Sequence, residues 1–137
     1  MNPKNRKKKQ ISILVEISPG ELFDKITILE IKKEKITDHR KLENINYELQ
    51  KLKETRDGFI STDHEIESLV SKLKKCNSRL WNVLCESAVL ENNSDYGKRY
   101  LELAKLVVKK NYERYELKRA INNLLESKII EEKDYPI

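Results

Sequence analysis

The chain has 137 residues, 38% of them hydrophobic, which is enough for one modest core and too little for two. Its formal charge of +5 is carried by Lys4, Arg6, Lys7, Lys8 and Lys9, so the remainder is electrically balanced and lacks the footprint of a folded nucleic-acid reader. No apolar run approaches the roughly 20 residues that a membrane-spanning helix needs, and the basic start leads into too short an apolar stretch for an export signal.

These features predict a cytoplasmic protein with a disordered basic tail over residues 1–10 and one helical domain over residues 11–137, without membrane insertion or specific nucleic-acid binding. Cys76 and Cys85 fall on one predicted helix, about 13 Å apart along its axis, which is too far for a disulfide and suits a reducing compartment.

After the tail, Ile11, Ile13, Val15 and Ile17 alternate with Ser12 and Glu16, a period of two that predicts a short strand with one buried face. Ser18 and Glu21 then have capping-box spacing, Pro19 suits the first helical position, and Ile17 and Leu22 are spaced as a hydrophobic staple. The turn has one glycine, Gly20, too little for a phosphate-binding loop. Along the first helix Leu22, Ile26, Leu29 and Ile36 make one stripe, and Ile28 and Ile31 lie on another that also carries Asp24, so the helix is expected to be covered from more than one side.

Thr37 and Asp38 restart the chain, and Leu42, Ile45, Leu49 and Leu52 set a second amphipathic helix that runs to Gly58, antiparallel to the first because the connection is short. Ser61, Thr62 and Asp63 open a third, with Thr62 and Glu65 in capping-box spacing. Its long seam of Ile66, Leu69, Leu73, Cys76, Leu80, Val83 and Leu90 has coiled-coil-like steps of three and four, interrupted at Ser87. "ENNSDYG" breaks the pattern before a fourth helix that begins with Tyr100, Leu103, Ala104 and Val107 and ends near Leu125. The fold class expected is mainly α, a four-helix antiparallel bundle whose N-terminal strand pairs with an extended segment around Ile129 and Ile130.

The fourth helix stops being apolar in its middle, where Asn111, Arg114 and Lys118 continue the row of Tyr100, Ala104 and Val107. Buried cations are tolerated mainly when paired, and Asp24 and Thr27 on the first helix are the economical partners. Two roles follow from this group: a salt-bridge network holding the first and fourth helices in register, or a site for an anionic, phosphate- or carboxylate-bearing small molecule, lined by Asn111, Arg114 and Lys118 with Asp24 and Thr27 orienting the cations.

At these same residues the sequence resembles a family of short bacterial and phage-encoded proteins known only as a domain of unknown function. The resemblance rests on "SPGELFDKITILEIK", "KLENINYEL", Leu80 with Trp81, and "RYELKRAINNLLESKIIEEKDY", and so spans nearly the whole chain. Where that family often has an acidic pair three residues beyond the Leu-Trp, this chain has Leu84 and Cys85. The resemblance implies a small helical protein and brings no activity, cofactor or partner with it.

Other chemistry is poorly provided for. Glu113 and Glu116 have helical spacing for a divalent cation but no second acidic pair on a facing seam, and read as a solvated face. His39 and His64 have no ligand at zinc spacing, and nothing places a base beside Cys85. Trp81, Tyr100, Tyr112 and Tyr115 suit packing or a subunit contact. No metal or cofactor is implied. The third and fourth helices are expected to form a long antiparallel hairpin, and the sequence therefore points first to a binding or protein-interaction module, with a second copy or another protein as partner through that hairpin, and second to a small enzyme or ligand-binding protein for an anionic metabolite.

Overall fold

A computed structural model describes residues 10–136, and the expectation for the basic tail falls almost wholly outside them. Four helices follow in order: α1 (Pro19–Lys35), α2 (His39–Phe59), α3 (His64–Asn92) and α4 (Lys98–Leu124). Each of the first three starts on a side-chain cap. Ser18 Oγ accepts the Glu21 N–H at 3.2 Å, Asp38 accepts that of Lys41 at 2.9 Å, and Asp63 accepts that of Ile66 at 3.0 Å.

Two details depart from the capping expectations. The cap of α3 is Asp63 and not Thr62, and the Glu21 carboxylate, instead of reaching back to Ser18, turns to Lys118. The capping box of α1 is therefore half formed, its acid diverted to a cation that offers a stronger bond than a neutral N–H. Ser18→Ala should still cost about 1 kcal/mol in urea unfolding, the usual loss of an N-cap, and Glu21→Ala should add its own loss in full, since the two side chains serve different partners.

Helix α1 is the centre of the fold. Leu22, Ile26 and Leu29 pack with Ile45 and Leu49 of α2, while Phe23 on the other side packs with Ile66 and Leu73 of α3 and Ile121 of α4. The two-stripe pattern of α1 is thus matched by cover on two sides, as expected. Helix α2 approaches α1 alone, whereas α1, α3 and α4 all meet one another. The arrangement is a three-helix core with α2 laid on the outside of α1, because only Ile45 and Leu49 of the α2 stripe become buried. Bonded pairs between α1 and α4 run from Gly20 with Asn122 to Asp24 with Arg114, rising along one helix as they fall along the other.

The strand expected over Ile11–Ile17 does not form, and among the described residues there is no strand. Ile11, Ile13, Leu14 and Val15 are between 71% and 96% exposed. A period of two describes how side chains alternate but supplies no ladder partner, and a lone strand in water is not stable. The segment meant to pair with it goes elsewhere. After α4, Glu126 takes a left-handed conformation (φ 52°) and Ser127 N–H bonds the Asn122 carbonyl at 2.8 Å, a Schellman turn that sends the chain back along the helix. There Glu131 meets Lys118 and Glu132 meets Arg119, so the C-terminal segment is tied to α4 by its charges.

Candidate functional site

The site begins with Asp24, which is 1% exposed on the face of α1 that meets α3 and α4. A carboxylate in that position has to be paired and hydrogen-bonded, and two residues, one from α4 and one from α3, provide for it. Arg114 of α4 grips it with two nitrogens, Nε to Oδ1 at 2.8 Å and Nη2 to Oδ2. Asn77 of α3 donates Nδ2 to Asp24 Oδ1 and to Thr27 Oγ1, both at 3.0 Å, and Thr27 donates its hydroxyl to the Asp24 carbonyl at 2.9 Å. The bonded carboxylate raises the Arg114 guanidinium above its already high ordinary range.

One turn further along α4, Lys118 is buried between two acids, Glu21 Oε2 at 2.8 Å and Glu131 Oε2 at 2.9 Å. Burial works against its charge, but hydrogen bonds to the two carboxylates outweigh that effect and the net shift of its pKa is upward. The next turn brings Asn122, whose Oδ1 accepts the Gly20 N–H at 2.7 Å. Gly20 is required here because a Cβ would lie 2.5 Å from the Lys118 carbonyl oxygen and 2.8 Å from Asn122 Oδ1. The ladder from Asp24 to Gly20 closes the first helix onto the last.

Of the residues singled out from the sequence, Asp24, Thr27 and Arg114 come together directly. Lys118 joins the same ladder through Glu21, and Asn111, one turn before Arg114, lines a cleft beside it without bonding to the group. Asn77, Glu21, Asn122 and Glu131 complete the arrangement and were missed. Asn77 left a legible signal, since it stands where Leu73 and Trp81, four residues to either side, set an apolar row. Glu131 left none, because only the turn after α4 brings it back to the helix.

The remaining candidates separate cleanly. Glu113 is paired with Lys110 at 2.6 Å on the surface, and among the described residues no group of three or more His, Cys, Asp or Glu side chains gathers as a metal ion would need. Among the same residues no helix is long and apolar enough to cross a membrane. Cys76 and Cys85 are both free of a disulfide. Cys76 donates its thiol to the Lys110 carbonyl at 3.3 Å, and burial, with a smaller effect of Glu113, pushes its pKa up to about 11. At pH 8 roughly one in a thousand Cys76 thiols is ionised, so a thiol reagent should label exposed Cys85 quickly and Cys76 only on unfolding. Two equally fast thiols in the native protein would contradict this packing.

The model of a family of unknown function, DUF6165, matches residues 13–137. The chain belongs to this family. Every residue of the Asp24 ladder falls within the matched span, and the unpaired segment from Ile13 onward does too. No curated protein and no solved structure gives a significant match.

Proposed function

We propose that this DUF6165 member is a protein-interaction module, active in the cytoplasm, whose docking face is the outer half of the α3–α4 hairpin and whose first partner is a second copy of itself. One observation carries the reading. From Leu84 to Glu102 no residue is buried, yet Leu84, Val89, Leu101 and Val108 are each more than half exposed in and just beyond this stretch. The hairpin outruns the cover that α1 gives it and is held there by its own polar pairs, Arg99 with Glu86 and Tyr100 with Glu91. Leu101, Ala104 and Val108 form a stripe along α4 whose burial needs another helix. Two such hairpins laid together make an antiparallel bundle with the spacing that the α3 seam already has.

The Asp24 group, on this reading, is a structural clamp. An anionic metabolite would meet three carboxylates, Asp24, Glu21 and Glu131, around two cations that are already paired, which leaves the enzyme reading with less support. Sedimentation equilibrium is the test. The wild type should be dimeric at about 100 μM, and Leu101→Glu combined with Val108→Glu should make it monomeric while the melting of the monomer stays intact. A wild type that remains monomeric at that concentration rules out the second copy as partner. A rise in melting temperature with phosphate or carboxylate metabolites, lost in Lys118→Met, would favour the anion site instead.

A further inference from the structure

Between the end of α1 and the hairpin lies a cleft of about 180 Å³, with Ile28, Ile31, Leu80 and Trp81 among its walls. Its polar end is formed by Asn77, Asn111 and Arg114. Asn77 is only 5% exposed, and its orientation is fixed: the Asp24 carboxylate accepts but cannot donate, so Nδ2 must face it and Oδ1 must point away. Among the described residues that Oδ1 has no hydrogen-bond partner, and neither does Arg114 Nη1, the one guanidinium nitrogen that Asp24 leaves unused. A water-accessible acceptor on an otherwise buried asparagine and a cationic donor therefore sit at the same end of an apolar slot.

The geometry points to a small-molecule site for an uncharged single-ring compound that carries a hydrogen-bond donor and acceptor side by side, as a primary aromatic amide or a cyclic amide does. The ring lies among Ile31, Leu80 and Trp81, the ligand N–H donates to Asn77 Oδ1, and its carbonyl accepts from Arg114 Nη1, with the Asn111 amide able to serve either role. Size agrees, since an apolar cavity of about 150 Å³ holds benzene and this cleft has room for one substituent more. Charge selects the neutral form. A carboxylate cannot donate to Asn77 and would approach Asp24, while an ammonium cannot accept from Arg114 and is repelled by it.

This inference does not rest on hairpin docking, although Leu84 borders both the cleft and the docking face, and its readout lies in the cleft. Trp81 is the sole tryptophan, so its indole N–H gives one resonance to follow by NMR in the full chain. Titration with benzamide should shift that resonance to saturation, while benzoate, which lacks the donor, and toluene, which lacks both groups, should bind at least about tenfold more weakly. Val107→Phe, at a half-buried position of the cleft wall, should fill the slot and abolish the benzamide shift with little change in melting temperature. Should that variant fail to fold, Asn111→Leu, which removes an amide with no partner among the described residues, should weaken benzamide several-fold and leave toluene unchanged. Absence of a saturable benzamide shift, equal affinity for benzoate, or benzamide binding unaltered in the folded Val107→Phe or Asn111→Leu protein overturns the proposal.

Discussion

Asp24→Ala should remove about 3 kcal/mol of stability, several times the effect of a typical surface change. The loss has two sources. Arg114 keeps its charge in a half-buried position with no bonded carboxylate and only the more distant Glu21 and Glu131 to offset it, and Asn77 keeps an amide whose remaining partner is Thr27 alone. Because the Arg114 side chain is 30% exposed, water can solvate part of the abandoned charge, which places the expected value at the lower end for a broken buried pair. Urea unfolding monitored by circular dichroism measures it. Asp24→Leu combined with Arg114→Met should recover much of the loss, since an apolar pair of similar volume is often as stable as the ion pair it replaces. A single Asp24→Ala variant as stable as the wild type would mean that the ladder does not hold α1 to α4.

Gly20→Ala should also be costly, about 2 kcal/mol, although alanine is the better helix former by about 1 kcal/mol. The new Cβ would lie 2.5 Å from the backbone oxygen of Lys118, which cannot swing aside as a side chain could. The helices must separate, lengthening the Gly20 bond to Asn122 and the Glu21 bond to Lys118 together. Gly58→Ala is the matched control. It sits in the last turn of α2 with nothing within 4 Å of an added Cβ, so the same change there should be neutral or stabilise by a few tenths of a kcal/mol. Equal effects at the two glycines would show that propensity and not close approach governs both.

Helices were legible because their signals are local. Caps at Ser18 and Asp38, the break before α4 and the periodic seams all lie within a few residues of the elements they specify. The pairing of Asp24 with Arg114 was also legible, since a charge in an apolar row demands an opposite charge in another. What stayed hidden depends on placement across the chain. Alternation at Ile11–Ile17 looked like a strand because the pattern cannot report whether a partner edge exists. Position 77 carried a signal that was passed over, an asparagine in the Leu73 to Trp81 row, and Glu131 carried none until a left-handed Glu126 turned the chain. The short connection set α2 beside α1, where it lies, but that it meets no other helix was not legible, because its stripe says that one face is buried and not how many helices share it.

The closing of the first helix by the last has a consequence for how the protein is made. Gly20, Asp24 and their partners Asn122 and Arg114 are separated by 102 and 90 residues, so on a ribosome adding about 5–20 residues per second the first helix waits several seconds or more for its last wall. During that interval α2 can cover Leu22, Ile26 and Leu29, and α3 can reach Phe23 and Asp24, but the face that Arg114 and Ile121 will close stands open. A nascent chain halted within the loop before α4 should accordingly be held by chaperones or digested by proteases, and release of the last forty residues should be the step that makes it resistant.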